Sequence, residues 1–205
     1  MTRRTLWILG TAALLAVPAA AGAQGAGVQI EAFYGLERPP STSFKAAVSG
    51  VGSASDLFNS SLQLAGGDVL LNLGGLELGA IGDVTFGSNT ASQTAIGGLI
   101  GAAIAPPGMK LDFLAEAGGH RIGDFTKNPD IVTASSSSEW LFYVGLRGGI
   151  SFQLGGPLSL GLWGFVRWDV TSHDIPVTVG SAGSAGSYSL GGTTIGGTLR
   201  LGFSL

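Results

Sequence analysis

The sequence predicts an all-β fold in which eight antiparallel strands close into a transmembrane up-and-down β-barrel. Mean hydropathy is high at +0.42 and charged residues make up only 11% of the chain. Beyond the amino-terminal region, however, no apolar run reaches the roughly 18 residues of a membrane-spanning helix. Only helices and closed barrels pair every backbone polar group inside a bilayer. High hydropathy without helical spans therefore favours strands, and the 36 glycines and alternating apolar residues favour them too.

Residues 1–23 have the organisation of an export signal. Arg3 and Arg4 form its positive region, an apolar core follows, and small residues end at Ala23, just before Gln24. We expect cleavage between Ala23 and Gln24, which leaves residues 24–205 as the barrel domain.

Charge and cysteine content exclude several classes of function. Loss of the two signal arginines leaves eight basic against 13 acidic residues, so the mature chain is acidic. An acidic chain without a Lys/Arg stripe argues against a nucleic-acid partner. The chain has no cysteine and only two histidines at distant positions, so we expect neither a disulfide nor a metal site, and no cofactor.

Alternation and turn residues define eight strands. They are predicted at 27–37, 60–71, 75–87, 92–104, 108–121, 139–153, 157–170 and 190–205.

Short and long connections follow one another along the chain. Tight turns are predicted at 72–74, 105–107 and 154–156, and longer segments at 38–59, 122–138 and 171–189; the remaining connection, at 87–91, is short. Transmembrane barrels have short periplasmic turns and longer external loops. We therefore expect both termini on the periplasmic side and the three long segments outside the cell, as loops with flexible Gly- and Ser-rich tips.

Within most strands, apolar residues share one parity and charged residues the other. Low charge content favours lipid outside and a polar lumen inside, because a soluble barrel of lipocalin type would need a charged exterior. The predicted lumen charges are Glu31, Glu77, Asp83, Lys110, Asp112, Glu116, Arg147, Arg167, Asp169 and Arg200. Trp163 and Phe165 fall on the charged face and are expected to fill the lumen. Parity changes in the second strand, which predicts a β-bulge at Gly66 and Gly67.

Aromatic residues cluster near predicted strand ends, as expected for the two girdles of a membrane barrel. Phe86, Trp140 and Trp168 are predicted at the outer interface, and Phe152 and Phe203 at the inner interface.

The closing strand carries the alternating pattern Leu199, Leu201, Phe203, Leu205. With it, the chain resembles the small outer-membrane β-barrels of the OmpA/OmpX-like superfamily. The resemblance implies the bacterial outer membrane as location, contact with its lipids, and recognition of the terminal strand by the barrel-assembly machinery. We expect this strand to pair with the first one, which gives Arg200 a carboxylate partner in Glu31.

An eight-stranded barrel is just wide enough for side chains to fill its interior. The sequence therefore predicts a monomer with a plugged lumen and a structural, envelope-integrity or surface-interaction role. A surface partner would bind at segments 38–59, 122–138 and 171–189.

Two other functions remain as alternatives. One is a narrow channel for ions or small solutes. The other is a lipid A-modifying enzyme, for which His120 beside Arg121, or the run Ser172, His173, Asp174, would have to supply the catalytic groups. Neither histidine lies in a recognisable catalytic pattern, so we do not expect an enzyme.

Overall fold

The computed structural model describes residues 26–40, 42, 44–46, 56–86, 91–125, 128, 130–180 and 184–205. The predicted export signal at 1–23 and its cleavage site between Ala23 and Gln24 lie outside these residues. Among the described residues, no helix is long and apolar enough to cross a membrane.

Eight long strands close into an antiparallel barrel. They are β1 (Gly27–Arg38), β3 (Leu62–Leu73), β4 (Leu76–Phe86), β5 (Ser92–Ile104), β6 (Met109–Gly123), β8 (Ser138–Gly155), β9 (Leu158–Asp169) and β12 (Thr193–Ser204). Their order around the barrel is β1-β12-β9-β8-β6-β5-β4-β3. The first and last strands pair from Gln29 opposite Ser204 to Arg38 opposite Ile195, which closes the barrel. The predicted all-β, eight-stranded fold is confirmed.

Short turns join β3 to β4, β5 to β6 and β8 to β9, and they share one end of the barrel with the start of β1 and the end of β12. We call this the short-turn end and the opposite one the long-loop end. The turn after β3 is built on Gly74 and Gly75, whose φ angles of 69° and 99° favour glycine. The predicted alternation of connection lengths is thus present.

The two faces of the barrel differ as the alternation predicted. In β9, for example, Leu160, Leu162 and Trp168 point outward, whereas Arg167 is buried inside. Inward glycines lie beside large inward side chains: a Cβ atom on Gly66 would come within 2.6 Å of the Phe33 ring. Part of the high glycine content therefore makes room for the aromatic residues of the interior.

The bulge predicted at Gly66 and Gly67 is wrong. Strand β3 pairs with β1 and β4 without a register shift, and Leu62, Leu64 and Leu70 all face inward. Leu64 and Leu70 pack with aromatic side chains in the barrel interior, and Leu62 packs in a second apolar core at the long-loop end. Val69 and Leu71 take the outward-facing positions of the same continuous strand.

The long segments are not simply loops, which corrects the sequence prediction. They contribute β2 (Phe44–Ala46), β7 (Ile131–Ala134), β10 (His173–Val179) and β11 (Ser184–Leu190). These strands form a second sheet in the order β2-β11-β10-β7. We call it the cap sheet. Strands β10 and β11 pair up to Val179 opposite Ser184, and residues 181–183 of the tip predicted at 180–186 lie outside the described residues.

The cap sheet packs on the long-loop end of the barrel through an apolar core. Ile175, Val177 and Val179 of β10 are buried together with Tyr188 and Leu190 of β11. The barrel contributes further buried residues from its rim and from the segment before β3. These are Leu57, Phe58, Leu62, Ala91, Ile122 and Leu141. The cap sheet therefore covers the mouth of the barrel at this end.

Candidate functional site

The interior of the barrel holds a chain of buried charged side chains, and near the short-turn end this chain begins at Lys110. Its Nζ atom lies 2.6 Å from a carboxylate oxygen of Glu77 and 2.8 Å from one of Asp112. It also donates a hydrogen bond of 2.8 Å to Oε1 of Gln29. Both carboxylates are fully buried, whereas Lys110 keeps 16% of its side chain accessible. One ammonium group thus compensates two carboxylates where water can still reach it.

Arg200 forms the next layer. Its Nη1 atom donates to Oε2 of Glu31 at 2.7 Å and also to Asp68. The guanidinium lies over two aromatic rings, 4.1 Å from the centre of Trp163 and 4.7 Å from that of Phe33. Because the side chains of Arg200 and Glu31 are each only 1% accessible, charge pairing and ring stacking replace hydration at this level.

Two further arginines share one carboxylate in the middle of the barrel. Arg147 donates through Nε to Glu116 at 2.9 Å, and Arg167 does so at 3.1 Å. Arg167 also makes a two-pronged contact with Asp83. The Tyr143 hydroxyl donates to Glu116 at 2.6 Å. Strands β9 and β4, which carry Arg167 and Asp83, lie on opposite sides of the barrel, so this pair crosses the whole interior.

A weaker polar layer lies between these arginines and the cap sheet. His120 places Nε2 at 3.2 Å from Oδ1 of Asp169, and both side chains are almost fully buried. Gln93 donates to Glu37 over a long distance of 3.5 Å.

The structure therefore places all ten predicted lumen charges inside the barrel and adds Glu37 and Asp68, which the sequence analysis missed. Asp68 is opposite in parity to the outward residues Val69 and Leu71, and this alternation was the signal that could have placed it inside as the second partner of Arg200.

Apolar side chains occupy the space between the charged groups. Trp163 and Phe165 are 3% and 6% exposed, so the structure places both inside the barrel. They belong to a buried cluster with Phe33, Leu64, Leu70, Ile81, Leu99 and Leu114. The interior of the barrel is thus a packed mixture of paired charges and apolar side chains.

The five predicted girdle residues all lie on the outer face, at strand ends. Phe86, Trp140 and Trp168 are at the long-loop end, and Phe152 and Phe203 are toward the short-turn end, with exposures of 40% to 50%. In the closing strand, Leu199, Leu201 and Phe203 point outward as well, and Leu205 follows the last paired residue at 74% exposure.

The proposed enzyme residues do not come together. His173 and Asp174 are neighbours in β10, so strand geometry turns them to opposite faces of the sheet. His173 instead pairs with Glu139 at 3.4 Å. His120 lies inside the barrel, and the adjacent Arg121 points outward. Among the described residues, no group of three His, Asp or Glu side chains has metal-site geometry.

No protein-family model matches the chain, and no curated protein shows significant sequence similarity to it. The structure is similar to that of Neisserial surface protein A (NspA), with a TM-score of 0.53, 13% identity, and coverage of 89% of this chain and 98% of that one. It is also similar to the outer membrane protein OprG from Pseudomonas aeruginosa, with a TM-score of 0.59, 8% identity, and coverage of 90% and 98%. At this level of identity the comparison concerns the fold, and the chain has the fold of a small outer-membrane β-barrel, as its resemblance to the OmpA/OmpX-like superfamily implied.

Proposed function

We propose that the protein is an integral outer-membrane barrel that acts as a closed structural or surface-interaction component. The outer face supports membrane insertion, because large apolar side chains such as Leu162, Phe142 and Ile96 are 61% to 64% exposed there. Exposed apolar area on this scale is characteristic of a surface that contacts lipid. The role includes contact with outer-membrane lipids, monomeric assembly, and entry through the barrel-assembly machinery by the closing strand.

The main observation in support of a closed lumen is the set of three arginines stacked inside the barrel. Arg147, Arg167 and Arg200 are each paired with carboxylates and lie against the aromatic rings of the interior. Their exposures of 5%, 2% and 1% leave little contact with water. Ions crossing the barrel would have to separate these pairs, which is costly at low dielectric. The apolar core under the cap sheet adds a second obstruction at the long-loop end.

The cap sheet is the part of the protein that supports a surface-interaction role. Segments 38–59, 122–138 and 171–189 each contribute strands to it, so the three predicted contact segments are joined in one unit. A rigid sheet presents side chains to a partner at lower entropic cost than separate loops. We propose that a surface ligand, if recruited, binds this sheet, and that the protein carries no catalytic activity of its own.

Conductance of the purified chain in planar lipid bilayers tests the closed lumen. The unaltered protein should give no steady current, because its interior is packed. The double variant Trp163→Ala, Phe165→Ala removes two large inward side chains and should admit ions. Trp168→Ala is the matched control, since Trp168 lies on the same strand but points to the outer face.

A steady current from the unaltered protein would contradict the proposal and support the narrow channel. Mass spectrometry of lipid A from cells with and without the protein tests the absence of catalysis. Acylation is expected to stay unchanged, and a protein-dependent change would establish the lipid-modifying alternative.

A further inference from the structure

The charges on the outer face of the barrel are few and of one sign. Among the outward positions of the eight described barrel strands, the charged residues are Arg38 of β1 and Arg121 of β6. Both arginines lie at the long-loop end, and their strands are on opposite sides of the barrel. Neither forms an ion pair with another described residue. Arg121 is paired across the sheet with the girdle residue Trp140.

A cleft lies at the rim of the barrel beside Arg38. Beside Arg38, a cavity of about 470 Å³ lies between the end of β1, the segment before β3 and the start of β12. Its lining includes the carboxylate residue Asp56 and the hydroxyl residues Ser60 and Thr193. This volume is within the range of small-molecule sites, roughly 300 to 1,000 Å³.

The cleft continues onto the lipid-facing wall. Ile195, which lines it, is 57% exposed, and the neighbouring outward residue Leu36 has the same exposure. Pro40, which also lines the cleft, is buried. A molecule in the cleft would therefore have its polar part at the membrane interface and an apolar part along the barrel wall.

We propose that this cleft binds the headgroup of a membrane lipid that carries both a phosphate and an ammonium group. The proposal rests on the membrane placement proposed above. The Arg38 guanidinium supplies the planar pair of donors that suits a phosphate. Asp56 supplies the opposite charge for the ammonium group, while Ser60 and Thr193 offer hydroxyl groups to the phosphate and ester oxygens. The acyl chains lie along Leu36 and Ile195.

Native mass spectrometry tests the cleft with the full chain refolded in a neutral maltoside detergent. The probes are dioleoyl phosphatidylethanolamine, dioleoyl phosphatidylglycerol and dioleoylglycerol, added one at a time. The first has phosphate and ammonium, the second has phosphate alone, and the third has neither. We expect retention to fall in that order.

Variants assign the retention to particular side chains. Arg38→Gln should lower retained phosphatidylethanolamine roughly tenfold, as expected for loss of one charge-assisted contact. Arg121→Gln removes the same charge at the same end of the barrel but on the side opposite the cleft, so it should retain the lipid normally. Asp56→Asn should reduce the preference for phosphatidylethanolamine over phosphatidylglycerol.

Equal loss in the Arg38 and Arg121 variants would overturn the proposal, as would retention of dioleoylglycerol at the level of phosphatidylethanolamine. Far-ultraviolet circular dichroism of each variant shows whether it is folded. Flotation with phosphatidylcholine vesicles separates the two proposals. A chain that fails to float contradicts membrane insertion, whereas a chain that floats without Arg38-dependent retention contradicts the lipid site alone.

Discussion

The barrel interior and the core beneath the cap sheet are both buried, yet they are built from different residues. The interior contains paired arginines and carboxylates stacked on aromatic rings, as Arg200 is on Trp163. The cap core contains Ile175, Val177 and Val179 with Tyr188, the composition of an ordinary soluble domain. The same alternating pattern therefore points its apolar residues outward in the barrel and inward in the cap sheet.

The difference follows from the surroundings of each sheet. The proposed barrel faces lipid, so its outward residues are apolar and its polar groups must find partners inside. The cap sheet lies beyond the barrel rim, where one face meets the mouth of the barrel and the other is exposed, for example at Asp174 and Pro176. The barrel interior depends on charge pairing and the cap core on apolar packing. Substitutions in one core should therefore have effects that differ from those in the other.

The largest effect is expected for Arg167→Ala. This change leaves Asp83 buried without its arginine partner and removes one of the two arginines on Glu116. We expect a loss of about 3 to 5 kcal/mol in the free energy of unfolding, as for other broken buried pairs. Urea unfolding in lipid vesicles, followed by tryptophan fluorescence, measures it. Arg121→Ala is the control, and equal losses would contradict the importance of the interior pairs.

Ile175→Ala should act on the cap core alone. Ile175 is 2% exposed, and truncation of a buried isoleucine costs about 2 to 5 kcal/mol. We expect faster proteolysis and hydrogen exchange in the cap sheet, while the unfolding midpoint of the barrel stays unchanged. Asp174→Ala, on the opposite face of the same strand, should have little effect. If the barrel midpoint fell together with the cap sheet, the two cores would form one cooperative unit.

Leu162→Arg tests the outer face of the barrel. Leu162 is 64% exposed near the middle of β9, and an arginine at the bilayer midplane of a barrel costs about 2 to 4 kcal/mol. A refolding assay in vesicles should show this loss. Ser172→Arg, at an exposed position beyond the end of β9, should refold like the unaltered chain. Similar behaviour of the two variants would argue against lipid on this face.

The smallest effect concerns pH and the cap core. Burial, together with the negative charge of nearby Asp130, raises the pKa of Tyr188 from 10.0 to about 12. Asn128 donates to the Tyr188 hydroxyl at 3.3 Å. The folded state keeps the Tyr188 proton longer than the unfolded state, so this contribution is complete below pH 10 and is lost as pH rises from about 10 to 12.

Tyrosinate absorbance in vesicles, with hydrogen exchange of the cap sheet, measures this change. Tyr188→Phe should remove the late titration step and make the cap sheet less sensitive to pH in this range. If Tyr188 titrated near its ordinary pKa, its side chain would be accessible to water, and the expected burial would be contradicted.

The sequence alone predicted the features that follow from the local alternation of apolar and polar residues. Alternation placed all eight barrel strands within a few residues, and it put Leu162 outside and Arg167 inside. It also paired the first and last strands, since only closure satisfies their edges in a bilayer. These features depend on neighbouring residues along the chain and on the assumption that lipid surrounds the barrel. The low charge content of the sequence favoured that assumption.

Tertiary structure decided which distant groups meet. Asp83 and Arg167 are 84 residues apart in sequence, and their contact depends on barrel order and register, which alternation does not specify. The cap sheet was also beyond sequence analysis, because its short strands, in Pro-, Ser- and Gly-rich segments, are stabilised by pairing with one another and by the barrel rim. The parity of a residue in its strand determines whether its side chain points inward or outward. Only closure of the barrel brings inward side chains from opposite strands into contact.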